Sequence, residues 1–147
     1  MDASTNSRRA TRTWPMTPEA WSRLVDEVSR LRRDVAVMAG AEGEDGVVQL
    51  PFAQAARRLE TLLDAQVRAE IVAESCCAAI GRRATVRDDL GDALSFAIVF
   101  PGDGDPGQGW VSADSPLGAA VLGAHAGDVV EVSAPAGPWS ASIVAVD

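Results

Sequence analysis

The chain has 147 residues, room for one domain or two small ones, and its 47% hydrophobic and 23% charged residues are those of a folding chain, not a disordered one. The net charge of −8 is unevenly spread: residues 1–87 hold 13 Arg and 12 acids, whereas 88–147 hold nine acids and no Lys or Arg. The second half therefore repels a phosphate backbone, which argues against direct DNA binding and leaves two readings, solubility or docking onto a basic protein surface.

The first 15 residues are polar and Arg-bearing, with no periodic apolar face and no apolar h-region. A disordered leader over 1–15 is expected, with no signal peptide. No apolar run approaches the roughly 18 residues of a membrane span. Cys76 and Cys77 are adjacent, a poor pair for a disulfide, and no second pair exists to build a metal site. These features predict a cytoplasmic protein with reduced thiols and no membrane contact.

Helix signals begin at Thr17, a capping residue, with Pro18 at the first helical position and Glu19 in the first turn. Trp21, Leu24, Val28, Leu31, Val35 and Met38 then recur at alternating spacings of 3 and 4, a heptad stripe that runs to Gly40. A turn-forming stretch, Ala41-Glu42-Gly43-Glu44-Asp45-Gly46, follows. Phe52, Ala55, Leu59 and Leu62, with Ala56, Leu63 and Val67 alongside, form a second stripe behind Pro51. Two periodic helices on a short connection predict an antiparallel coiled-coil hairpin over 16–69, each helix burying its stripe on the other.

Beyond residue 69 the period shortens. Strands are expected over 70–73, 83–87, 93–100 and 110–112, with a Gly-, Asp- and Pro-rich loop over 101–109. Asp114 or Ser115 is expected to cap a short helix running through Leu117 and Leu122 to Gly123. Residues 128–133 and 139–146 alternate as a hairpin about the turn Ala134-Pro135-Ala136-Gly137-Pro138. The fold class expected is α+β: a helical hairpin, then over 70–147 a small, mainly antiparallel sheet with one short helix.

One run is more specific than this order of elements. Val111-Ser112-Ala113-Asp114-Ser115-Pro116-Leu117-Gly118-Ala119-Ala120-Val121-Leu122-Gly123, continued by Gly127-Asp128-Val129-Val130-Glu131-Val132, resembles the C-terminal signature of the Gre transcription factors, GreA and GreB. There a Ser-Pro-Leu/Ile step opens a short helix ending in Leu-Gly, before Gly-Asp and a Val-rich strand. Met16-Thr17-Pro18-Glu19-Ala20 with Leu24 resembles the start of that family's first helix. The resemblance covers most of 16–147, is strongest over 111–146 and is thinnest between 40 and 110.

The resemblance implies a coiled-coil hairpin ahead of an FKBP-like globular domain. It implies RNA polymerase as the partner: the globular part grips the rim of the secondary channel and the hairpin enters it to modulate elongation. It assigns polymerase docking to Asp114, Ser115, Pro116 and Leu117. Read without the family, Ser115 is an ordinary helix cap and Leu117 a core residue. The family's tip carboxylates help hold a Mg²⁺ ion shared with the polymerase, since a hard cation takes oxygen ligands. Here the tip candidates are Glu42, Glu44 and Asp45, with Glu44 and Asp45 nearest the metal-holding places. The family spaces an Asp and a Glu by two residues; three residues after Asp45 stands Val48, and a frame slipped by one reaches Gln49. The acidic pair is intact in neither frame, and the first helix looks about one heptad shorter than the family's. Weak or absent stimulation of transcript cleavage is therefore expected, with no catalytic residue or cofactor of the chain's own, and a monomer. The tip acids read equally as a solvated loop.

Other chemistries find little support. His125 is the only histidine, so neither a His-based zinc site nor a triad can assemble. No phosphate loop or Gly-x-Ser-x-Gly elbow is present. The Arg32-Arg33 and Arg57-Arg58 pairs read as solvated helix faces, or as contacts to a nucleic acid or to the acidic lining of a partner. Two readings of other classes remain: a coiled-coil interaction module unrelated to polymerase, and a weak prolyl isomerase, which the few aromatics and absent Tyr disfavour.

Overall fold

A computed structural model describes residues 13–40, 50–72 and 77–147. Its elements are strand β1 (Trp14–Met16), helix α1 (Pro18–Gly40), helix α2 (Leu50–Arg68) and strand β2 (Ala69–Ile71), followed by strands β3 (Arg83–Arg87), β4 (Ala93–Val99) and β5 (Trp110–Ser112). Helix α3 (Pro116–Val121) and strands β6 (Val129–Ala134) and β7 (Gly137–Val146) complete the chain. The class is α+β, a helix pair followed by a curled mixed sheet with a short helix.

The two helices pack on each other through the stripes that the sequence sets out. Thr17 caps α1: its Oγ1 accepts from the Ala20 amide at 3.1 Å. Ala20, Leu24 and Val28 of α1 are buried, as are Leu62 and Ala65 of α2. Farther from the sheet, Leu31, Val35 and Met38, and Phe52, Ala55 and Leu59, are only half-buried. Burial is thus deepest where the pair meets the sheet and thins along the arm, as expected of a hairpin that buries its outer turns only on itself.

The five-stranded sheet has the order β5-β4-β3-β7-β6. Alternation places Ala84 and Val86, Phe96 and Ile98, Val132, and Ala141 and Ile143 on one buried face. These side chains form one continuous core with Met16, Leu24, Leu62 and Val121. A bulge between Thr85 and Val86 shifts the register against β7, so that Thr85 faces Ala145 and Val86 faces Ile143. Bulges of this kind bend a sheet and increase its local twist.

The structure differs from the sequence expectations at three places. Most of the expected leader lies outside the described residues, but Trp14 and Pro15 belong to β1, which pairs in parallel with β2. The sheet is mainly antiparallel, as expected, and mixed only where β5 runs parallel to β4 after a loop holding a short 3₁₀ turn at Pro106–Gln108. The last turn is tighter than expected: Ala134 pairs with Gly137 and Ser133 with Pro138, leaving two residues between the strands. Strand β2 begins one residue early and stops at Ile71.

The join between arm and sheet is a backbone exchange. The Ile80 amide donates to the Pro15 carbonyl at 2.8 Å, and the Thr17 amide donates to the Ile80 carbonyl at 3.0 Å. Gly81 follows at φ +99°, where a Cβ would stand 2.5 Å from Thr17 Oγ1 and 3.0 Å from Ala20 Cβ. Only glycine combines that backbone conformation with so close an approach to the first turn of α1.

The gradient of burial along α1 predicts unequal costs. Leu24→Ala should destabilise by about 2–5 kcal/mol. Val37→Ala, at a side chain 71% exposed, should stay within about 0.5 kcal/mol of the parent. Urea midpoints at constant m check both, and equal shifts would contradict the packing described.

Candidate functional site

The site grows from the corner between β5 and α3. Ser115 is the N-cap of α3: its Oγ donates to the Ser112 carbonyl at 2.7 Å and accepts from the Gly118 amide at 3.1 Å. Pro116 occupies the first turn, where no amide is needed. The Asp114 carboxylate turns back and accepts from the Ser112 hydroxyl. Of the two caps that the sequence leaves open, Ser115 is the one used.

Asp114 and Pro116 are exposed, Ser115 is half-buried, and Leu117 is half-buried against the core. The four residues therefore stand together as a rigid step, two facing solvent and two anchoring it. Gly118 allows the corner to close. A Cβ there would lie 2.0 Å from the Ser112 carbonyl oxygen and 3.1 Å from Ala113 Cα, both backbone atoms. At its other end α3 is tied down by the Gly123 amide, which donates to the Ala78 carbonyl at 2.8 Å, and by the Ala78 amide, which donates to the Ala124 carbonyl at 2.8 Å.

Beside this step runs a groove of about 680 Å³, lined among others by Trp14, Arg68, Asp114, Pro116, Ala120 and Glu131. The Arg68 guanidinium lies over the Trp14 ring at 5.4 Å, while its Nε pairs with Asp64 at 3.0 Å. The groove thus joins the root of the arm to the head of α3. Trp14 and Arg68 were invisible as site residues in the sequence. Trp14 lies in a stretch that reads as leader, and the partner strand that orders it is more than 50 residues away.

The proposed tip, Glu42, Glu44 and Asp45, lies outside the described residues. Among the described residues no group of three His, Cys, Asp or Glu could hold a metal ion. His125 is exposed, with its backbone amide donating to Asp128 at 2.9 Å. Cys77 is buried and its carbonyl accepts from Arg82 Nη1 at 3.1 Å, while Cys76 lies outside the described residues. Among the described residues no helix is long and apolar enough to cross a membrane.

Arg57 and Arg58 part company. Arg57 is exposed. Arg58 reaches Glu27 on α1 and two groups of the loop after β4, the Pro101 carbonyl and Asp103. The sequence offers no sign of this bond set, since nothing in the heptad pattern tells which side of the arm meets the sheet.

Comparison with known proteins bears on the same regions. The family model described as "Transcription elongation factor, GreA/GreB, C-term" matches residues 74–147. The transcription elongation factor GreB of Xanthomonas axonopodis pv. citri is 29% identical over 153 residues, spanning 90% of this chain and 89% of that protein. The transcription elongation factor GreA of Chloroflexus aurantiacus is 30% identical over 149 residues, spanning 89% and 95%. The crystal structure of GreA factor homolog 1 from Thermus thermophilus is 25% identical, with a TM-score of 0.44 over 92% of this chain and 99% of that one.

The close approach at Gly118 gives a direct check of the corner. Gly118→Ala must push α3 away from Ser112 or strain the backbone, at about 1–3 kcal/mol. A melting temperature several degrees below the parent's is expected, and an unchanged one would show that the corner is looser than described.

Proposed function

The chain belongs to the GreA/GreB family of transcription elongation factors, which act on RNA polymerase, and from that premise we propose that it docks by the 114–117 step and directs its helical hairpin into the enzyme's secondary channel. In this reading residues 16–69 are the arm and 70–147 the gripping globule. The chain works as a cytoplasmic monomer and carries no catalytic residue or cofactor of its own. It modulates elongation by occupying the channel.

The observation that carries the reading is the Asp114–Leu117 step. Its exposed members are an anion and a proline on the corner between β5 and α3, and it lies in the half of the chain that has no Lys or Arg. Such a surface favours a basic partner surface through charge, and a rigid corner loses little entropy on docking. Ser115 and Leu117 contribute by holding the step in shape rather than by reaching outward. Aligned relatives span nearly the whole chain, which supports reading the arm and the globule as one working unit.

The tip argues for modulation without cleavage. The acidic pair of the cleavage-stimulating pattern is broken at Val48 or Gln49 in either frame. Glu42, Glu44 and Asp45 could still lend oxygen ligands to a shared Mg²⁺, which would supply charge stabilisation and an activated water. With the pair incomplete, that contribution is weak.

Retention of core polymerase by the immobilised chain tests the docking. Asp114→Ala and Pro116→Ala should each lower affinity roughly tenfold, or about 1.4 kcal/mol. Full retention by both variants would remove the assignment. On stalled elongation complexes the parent chain should give little transcript cleavage. Strong cleavage lost in Asp45→Ala would contradict the reading of the tip.

A further inference from the structure

We propose that Arg58 is a positioning residue that sets the direction of the helical arm relative to the sheet. Its consequence at the polymerase rests on the reading above; its structural effect does not.

The guanidinium uses all three of its nitrogens. Nε meets Glu27 Oε1 on α1 at 3.4 Å, Nη1 donates to the Pro101 carbonyl at 2.6 Å, and Nη2 donates to Asp103 Oδ2 at 2.9 Å. One planar head on α2 therefore joins both helices to the loop that follows β4. The side chain is 21% exposed, so solvent reaches it only in part. A lysine could not reproduce the set, because an ammonium lacks the fixed fork that serves acceptors in different directions at once.

Position along the arm makes these bonds consequential. The arm's root is fixed by the β1–β2 pair and by the exchange between Pro15, Thr17 and Ile80. A root alone is a pivot; a second attachment at a distance defines a direction. Arg58 lies ten residues before Arg68, about 15 Å up the helix at 1.5 Å per residue. The start of α2 at Leu50 is about 12 Å farther, so a displacement at Arg58 nearly doubles by that point.

The meeting place is polar. A cleft of about 320 Å³ between α2 and the loop is lined by Gln54, Arg57, Arg58, Thr61, Gly102 and Asp114. The charged groups around the guanidinium are Glu27, Asp103, Arg57 and Asp114, with Arg23 sharing a second cleft with Glu27 and Asp103. None of these groups belongs to the buried core, so loss of Arg58 should free the arm and leave the fold intact. Asp114 walls the same cleft, which puts the docking step and the arm's second attachment side by side.

The test measures direction in the free protein. Spin labels carried by keto-bearing amino acids replace Arg33 on α1 and Ser142 on β7, both exposed, and leave the native thiols untouched. The parent should give one narrow distance distribution. Arg58→Ala and Arg58→Glu should each broaden it at least twofold, and adding Asp103→Arg to Arg58→Glu should restore the narrow peak. Asp103→Asn, which keeps shape and removes the anion, should broaden it to an intermediate extent and serves if Arg58→Ala folds poorly. Parental width in the variants, or failure of the charge swap to restore it, overturns the proposal. In the presence of polymerase, Arg58→Ala should be retained within twofold of the parent, yet lose at least fivefold of its effect on elongation. If the parent itself is not retained, the functional reading falls, while the distance distributions still judge Arg58 alone.

Discussion

The structure depends on one join, the few residues where the helical arm becomes part of the sheet's core. Ile80 is bracketed by Pro15 and Thr17 through two backbone hydrogen bonds, and Val72 is bonded to Met16 at 3.0 Å. Met16 and Ile80 are almost wholly buried there, in one core with Ala20 and Leu24 of α1 and Phe96 and Ile98 of β4. Buried backbone groups must be paired, and at this point the pairing runs between segments more than 50 residues apart in sequence. A hairpin joined to a sheet by a linker alone would be free to swing. This one shares a hydrophobic core and two backbone hydrogen bonds at Ile80 with the body it serves.

From that join the rest follows in order. Ala20, Leu24, Val28, Leu62 and Ala65 are buried near the root, the stripes are only half-covered outward, and Val67, expected beside the second stripe, is exposed, so the hairpin stands as an arm. The groove beside Trp14 and Arg68 opens where the arm leaves the body, and α3 presents its capped corner at the groove's edge. The 114–117 step and the arm are therefore fixed in one frame, which a factor that grips an enzyme at one point and reaches into it at another requires. Arg58 adds the second attachment that a pivot needs in order to point.

Much of this was legible in the residues. The alternation of 3 and 4 from Trp21 to Met38 marks a helix whose inner turns bury Leu24 and Val28, because burial and periodicity express the same geometry. The Ser115-Pro116 step marks the start of α3, because the capping bond is local to three residues. What was not legible depends on distant partners. The three residues of β1 carry too little alternation to stand out, and the parallel pairing of β1 with β2 and of β5 with β4 depends on crossovers that no local pattern encodes. The reach of Arg58 to Pro101 and Asp103 was hidden for the same reason, since a helix pattern fixes which face is apolar but not what lies beyond its polar edge. The proposed tip acids, Glu42, Glu44 and Asp45, lie outside the described residues, and their reading rests on the sequence.

The central claim is that the corner and the arm engage polymerase at two separated places at once. A photo-crosslinking amino acid placed at Pro116, and in a separate variant at Met38 near the outer end of α1, measures this directly in complexes with core polymerase. The account predicts that the first crosslinks to the rim of the secondary channel and the second to residues inside it. Crosslinks from both positions to the same outer surface, or from Met38 to none of the channel, would contradict it.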